Sequence, residues 1–270
     1  MNKQTNPFAP LPVPRTTSCK CCGAACSLVA VMDSSRGGVN ARAGWSIDDF
    51  SGYAVYYYRC ATCGFTFTRA FDHWTLADFS KNIYNEDYNR QDPDYITGER
   101  GTRTAEHIIQ QFGAYAQQLS VLDWGSGEGS FAARLEQHGF TQVDGYDPFV
   151  ETVKSLPSGN YDMVTCFEVI EHVLDPVSLV KDLAACRSPQ GAILISTLCC
   201  TQQVINFGLE NWHYCVPKNG HISLMTPQAL AHCAHKAGLV AYSFTEAAHA
   251  LFDATNIPVW LAGVLPNAAP

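Results

Sequence analysis

The chain has 270 residues, 47% hydrophobic and 16% charged, with a formal net charge of −8. That length suits one full α/β domain with a small companion, and no apolar run nears the ~18 residues that cross a bilayer. The charge is uneven: residues 1–70 carry seven Lys/Arg against three Asp/Glu (net +4), and residues 71–270 carry ten against 22 (net −12). This argues against extended nucleic acid as a partner of the larger part and leaves an anionic substrate open for the basic part.

Met1–Pro14 holds four prolines and no apolar core of a secretory signal, so residues 1–17 read as a disordered tail. Twelve cysteines without such a signal point to the reducing cytoplasm, and to metal ligation rather than disulfides. Residues 18–70 form the first unit. Cys19-Lys-Cys21-Cys22-Gly23 and Cys60-Ala-Thr-Cys63-Gly64 are two Cys-x-x-Cys-Gly knuckles with 37 residues between Cys22 and Cys60. Each brings two thiolates to one side of a tight turn, and two knuckles complete a tetrahedral S₄ site that favours zinc. Alternating, aromatic Tyr53–Arg59 and Phe65-Thr-Phe67-Thr supply strands, so this is a zinc ribbon. Its expected ligands are Cys19, Cys22, Cys60 and Cys63, with Cys21 or Cys26 as alternatives for one position. With no position left for water, the site is structural.

Residues 71–118 form a connector. Tyr84-Asn-Glu-Asp-Tyr88 and Asp92-Pro-Asp-Tyr95 are aromatic and acidic with turn signals. Arg103–Gln118 reads as a helix, with Ile108, Ile109, Phe112 and Tyr115 at helical spacing.

Residues 119–262 alternate strand and helix, which predicts a Rossmann-like, doubly wound, mostly parallel sheet, with residues 263–270 as a C-terminal tail. The expected elements are strands at Ser120–Asp123, Gln142–Tyr146, Tyr161–Phe167, Ala192–Thr197 and Leu239–Phe244, and helices at Ser130–His138, Pro176–Cys186 and Pro227–Lys236. Leu251–Pro270 is a candidate for an antiparallel edge strand. Only 13 residues separate Asp147 from Tyr161, so Phe149–Leu156 must supply a shortened helix and strand. Val121-Leu-Asp123-Trp-Gly125-Ser126-Gly127-Glu-Gly129 joins the first strand to the first helix. Glycines there admit a ligand where a Cβ would collide, and the helix start aims N–H groups at it. The Gly-x-Gly-x-Gly spacing, with an acid two residues before the first glycine, suits a ligand bearing an amino group and a sulfonium.

This motif resembles the first motif of class I S-adenosylmethionine (SAM) methyltransferases, and the resemblance runs over roughly residues 119–245. It implies that Asp123 lies near the amino-acid end of SAM, that Gly125, Ser126, Gly127 and Gly129 give backbone access, and that Phe167 borders the cofactor. Asp147, 18 residues after Gly129, is placed to accept both ribose hydroxyls. The connector resembles the segment between zinc ribbon and catalytic domain in the ubiquinone-methylase-like group. Its aromatics are expected to pack, and as a lid to cover the SAM site. Glu168-Val-Ile-Glu171-His172 resembles the Glu-Val-x-Glu-His segment of ubiquinone-type O-methyltransferases. In that group and in the small-RNA 2′-O-methyltransferases such a segment, with a later His, holds a divalent cation. The resemblance therefore implies a site of Glu168, Glu171, His172 and His221 for Mg²⁺, Mn²⁺, Fe²⁺ or Zn²⁺, which would acidify an acceptor hydroxyl. The other reading of Glu-His here is a pocket wall that caps the next helix. Without a metal, His213 or His221 is a candidate general base, and Trp212-His213-Tyr214 a wall of the acceptor pocket.

Together these imply O-methylation of a small-molecule hydroxyl, on a sugar or quinol-like ring. Two other classes stay open: an RNA or protein methyltransferase that docks its substrate through the ribbon, and a non-catalytic SAM-binding module.

Overall fold

The computed structural model of the chain describes residues 14–39, 49–86, 88–92, 97–156 and 158–266. Most of the expected N-terminal tail, Tyr95 and the end of the C-terminal tail lie outside the described residues. The chain is already a strand, β1 (Thr16–Ser18), within the stretch expected as tail. It pairs antiparallel with β2 (Ala25–Asp33), which follows the first knuckle. Then β3 (Ala54–Cys60) and β4 (Thr66–Thr68) flank the second knuckle and continue the antiparallel meander.

Among the described residues the connector holds three helices, α1 (Leu76–Asn82), α2 (Tyr88–Gln91) and α3 (Glu99–Phe112). Thr75 and Asp78 close a capping box on α1, satisfying N–H groups that a helix start leaves free. The expected helix Arg103–Gln118 starts earlier and ends at Phe112, because Gly113 is a poor helix former and the chain tightens into a 3₁₀ turn over Gly113–Tyr115. Ala105, Ile108 and Phe112 form its buried stripe.

The larger sheet is built from β5 (Ser120–Trp124), then α4 (Ser130–Gln137), β6 (Gln142–Tyr146), β7 (Tyr161–Phe167), α5 (Pro176–Cys186) and β8 (Arg187–Ser196). Strands β6, β5, β7 and β8 lie side by side and parallel. Val121, Leu122, Met163, Val164, Cys166, Ala192 and Ile193 are fully buried, as a sheet covered on both faces requires. The shortened helix and strand expected over Phe149–Leu156 do not form. Instead Val150 N–H bonds Asp147 O, Val153 N–H bonds Val150 O, and Asp147 N–H returns to Val153 O. These turns consume the segment, so β6 is an edge strand.

The remainder contains α6 (Gln202–Phe207), β9 (Ser223–Leu224), α7 (Pro227–Lys236), β10 (Val240–Ser243), β11 (Ala248–Phe252) and α8 (Val259–Ala262). The antiparallel strand sought in Leu251–Pro270 is β11. It starts earlier and lies inside the sheet, between β8 and β10, which takes the edge. Strand β9 pairs with β4 and so joins the cysteine-bearing sheet, giving the order β1-β2-β3-β4-β9. The two sheets share a core: Cys63, Phe65 and Phe67 belong to one buried cluster with Ile193, Met225 and Leu230.

Candidate active site

Strand β5 ends in a turn that only glycine tolerates. Gly125, Gly127 and Gly129 have φ of 84°, 52° and 80°, where a Cβ is strained. A Cβ on Gly125 would also lie 2.3 Å from Cγ2 of Val169. The turn is tied to the neighbouring strand, because the N–H groups of Gly125 and Ser126 both donate to the Tyr146 carbonyl, at 2.7 and 3.2 Å. The Ser126 hydroxyl is buried with no partner among the described residues. Asp123 is 4% exposed and accepts from the Thr165 hydroxyl at 2.8 Å; burial pushes its carboxyl up to about 7. Asp147, at the tip of β6, accepts from the N–H groups of Gly127 (3.1 Å) and Phe149 (2.8 Å). Burial raises its pKa and those two donors oppose the rise.

Both acids open on a cavity of about 830 Å³. Its outer wall is the connector, through Trp74, Phe79, Tyr84, Tyr88 and Arg100, and its floor includes Phe167, Glu168 and His172. The expected wall Trp212-His213-Tyr214 does not line it. Trp212 and Tyr214 are buried behind the floor in a cluster with Tyr57 and Leu209, and His213 is exposed. The connector aromatics had a visible composition signal, read as packing and lid. Arg100, ion-paired to Asp92 at 2.6 Å, was missed, since one arginine near a helix start carries no signal.

From the cavity floor inward runs a carboxylate–imidazole cluster, with Glu168 and His172 lining the cavity and Glu171 and His221 behind them. Glu168 is the one non-glycine residue with positive φ (55°) among the described residues, a conformation that costs energy and gathers at functional sites. Its carboxylate accepts from the Ser196 hydroxyl at 2.9 Å and the Tyr214 hydroxyl at 3.0 Å. The Tyr214 hydroxyl also contacts Glu171 Oε1. One hydroxyl has one proton to donate, so a second proton or a cation is needed to reconcile the two carboxylates. Glu171 is fully buried, its Oε2 has no hydrogen-bond partner among the described residues, and burial with the charge of Glu168 raises it to about 8. His172 Nδ1 is likewise buried with no hydrogen-bond partner among the described residues, and burial lowers the ring to about 4. His221 Nδ1 donates to the Tyr214 carbonyl at 2.7 Å, which leaves Nε2 with a free lone pair; burial pushes its pKa well down.

Of the four cation ligands expected, Glu171, His172 and His221 come together, their donor atoms all within 4.8 Å. Glu168 stands outside that group, held by Ser196 and Tyr214.

The four knuckle cysteines also converge. Sγ–Sγ separations are 3.6 Å for Cys19–Cys63 and 3.4 Å for Cys22–Cys60, and all four lie within 4.8 Å. A tetrahedral zinc with Zn–S of ~2.3 Å implies sulfurs about 3.8 Å apart. Gly23 and Gly64, at φ of 79° and 71°, close the two turns, their N–H groups donating to the carbonyls of Cys19 and Cys60. The Cys21 sulfur instead lies 3.8 Å from that of Cys233, and the Cys26 thiol donates to the Ala24 carbonyl; neither replaces a ligand in the cluster.

A family model described as a methyltransferase domain matches residues 96–243. The chain is similar to the ubiquinone biosynthesis O-methyltransferase of Bordetella avium (strain 197N), 30% identical over 160 residues, covering 48% of this chain and 66% of that protein. It is also similar to the enzyme of that name from Rickettsia typhi (strain ATCC VR-144 / Wilmington), 31% identical over 143 residues, covering 43% and 58%. The chain spans between 39% and 66% of the length of the curated relatives it matches. Among solved structures, the plantazolicin methyltransferase BpumL in complex with SAH is 16% identical at a TM-score of 0.46, covering 65% of this chain and 94% of that one.

Proposed function

The chain belongs to the methyltransferase domain family, and on that premise we propose that it O-methylates a small-molecule hydroxyl with SAM as donor. The observation that carries this is the pair of buried acids, Asp123 and Asp147, at the tips of adjacent parallel strands around the glycine turn, both facing one cavity. The turn fits such a donor: Gly125, Ser126 and Gly127 line the cavity beside both acids, and the two glycines offer it backbone without a Cβ. SAM, when bound, supplies a methyl group already activated on a sulfonium. The chain's own work is positioning and proton handling. Asp147 takes the ribose hydroxyls and Asp123 faces the amino-acid end. The connector aromatics exclude water and suit a ring, sugar or quinol-like. Glu168, presented at the floor, accepts the acceptor's proton.

Glu171, His172 and His221 fit a divalent cation through the unpartnered Glu171 Oε2 and the free His221 Nε2. A cation there would lower the pKa of an acceptor hydroxyl. Cys19, Cys22, Cys60 and Cys63 would hold a structural zinc. Twelve free thiols suit a reducing cytoplasm. Among the described residues no helix is long and apolar enough to cross a membrane.

Calorimetric titration with SAM tests the reading. Zinc-loaded wild type should bind and Asp147→Asn should bind at least tenfold more weakly. Absence of binding to folded wild type would overturn the donor assignment, and mass spectrometry of a hydroxyl-acceptor panel tests the transfer.

A further inference from the structure

The segment His221–Thr226 lies as a strip between the cysteine-bearing sheet and the site. On one side, the Tyr57 hydroxyl donates to the His221 carbonyl at 2.9 Å, Thr68 N–H donates to Ile222 O at 3.1 Å, and β9 pairs Leu224 with Thr66. At its far end the Thr226 hydroxyl donates to the carbonyl of Cys63, one of the four clustered cysteines, at 2.6 Å. On the other side, Ile222 N–H donates to Glu171 O at 2.9 Å, and the Ser223 hydroxyl to Val173 O at 2.6 Å. His221 is thereby fixed twice, its backbone by Tyr57 and its ring by the Tyr214 carbonyl. Tyr57 is fully buried, so its hydroxyl is a directed anchor in a dry setting where an unmet carbonyl is costly.

We propose that Tyr57 is a positioning residue for His221, and that the cysteine-bearing sheet is the frame through which it acts. The ribbon then has a task in the acceptor half of the site beyond its own folding: it sets the strip that carries one of the three clustered donors. The donor half is built separately. The glycine turn is held by Tyr146 and by Asp147, with no residue of the ribbon in those bonds. The inference rests on the proposed function only in taking His221 as a member of a cation site.

The test uses full-length, zinc-loaded protein and Mn²⁺ alone as the probe, followed by electron paramagnetic resonance. Loss of an outer partner of a metal ligand weakens metal binding by about 10–100-fold, and Tyr57→Phe should weaken Mn²⁺ binding by about tenfold. The amides of Ile222 and Leu224 should exchange faster, while SAM affinity stays within about twofold. His221→Ala serves as control and should abolish Mn²⁺ binding. A hydroxyl that merely stabilises the fold would lower the melting temperature and leave Mn²⁺ affinity and the exchange pattern alone, and that result would overturn the proposal. If wild type binds no Mn²⁺, the cation reading fails by itself, and the exchange of Ile222 and Leu224 decides the positioning role: acceleration in Tyr57→Phe supports it, and no change refutes it. Should Tyr57→Phe not fold, Thr226→Ala cuts the strip from the Cys63 carbonyl. Weaker Mn²⁺ binding with faster exchange of the same two amides then supports the proposal, and neither change overturns it.

Discussion

Replacing Asp123 by Asn removes a charge that the fold buries against its own stability. Burial lifts the carboxyl from 3.8 to about 7; the Thr165 hydroxyl opposes the rise, and the charge of Asp147 adds to it. An acid whose folded pKa is raised contributes stability that is fully present below its unfolded pKa and lost as pH rises through the folded one. Three units at about 1.4 kcal/mol each amount to about 4 kcal/mol, present as a penalty above pH ~7. Asn keeps the shape and still accepts from Thr165. Urea unfolding of ligand-free protein should therefore show Asp123→Asn more stable than wild type at alkaline pH. About 2 kcal/mol of that advantage should develop between pH ~5.5 and ~8.5. A cationic ligand reverses the balance by favouring the carboxylate. SAM binding by wild type at pH ~6.5 should then release protons, read by calorimetry in buffers of different ionisation enthalpy. The Asn variant should release fewer and bind about 10–100-fold more weakly, the worth of a hydrogen bond to a charged group. Parallel stability profiles for the two proteins across that pH range would refute the argument, because they would mean that Asp123 is ionised without cost.

Gly125→Ala combines a φ of 84° with a Cβ 2.3 Å from Val169 Cγ2, so it should lose about 1–3 kcal/mol of stability and SAM binding with it; in a Val169→Ala background the steric share should return and the backbone share remain. Cys60→Ser should reduce the zinc content measured by plasma emission from one per chain to none, whereas Cys21→Ser, at a residue outside the cluster, should leave it at one. His213→Ala, at an exposed position away from the cavity, should leave kcat/KM within about twofold, while His172→Ala, on the cavity floor, should abolish turnover; a large loss in His213→Ala would restore it as a base.

What could be read from the chain in advance was whatever is encoded locally. A Gly-x-Gly-x-Gly turn demands positive φ at its own residues, and Gly125, Gly127 and Gly129 show it. A Cys-x-x-Cys-Gly knuckle closes over five residues, and the two meet because the antiparallel pair β2 and β3 lies between them. The hidden features depend on distant partners. Strand β9 has two residues and no periodicity, and only β4 makes it a strand. The shortness of 148–160 was visible, but not that its turns would fold back on Asp147. Tyr214 reads as pocket wall from its neighbours in sequence, yet its hydroxyl ends between Glu168 and Glu171 beneath the floor.

These displacements have one physical origin. The stretch after β8 does not wall the cavity because it fills a core between the cysteine-bearing sheet and the connector. Cys200 N–H bonds the Met225 carbonyl, Arg59 reaches the Cys200 carbonyl, and Leu209, Trp212, Tyr214 and Cys215 share a core cluster with Val55 and Tyr57. Trp212 and Tyr214 stay inside that core, since exposing even one large aromatic forfeits about 1.5–3 kcal/mol of burial. The outer cavity wall falls to the connector, whose aromatics pack on one another from Phe71 through Trp74 to Phe79; Phe79 and Tyr88 belong to the same core cluster and line the cavity as well. The outer cavity wall thus lies on the N-terminal side of the glycine turn, and a variant that loosens the ribbon should be felt at Glu171 and His221 before it is felt at Asp123.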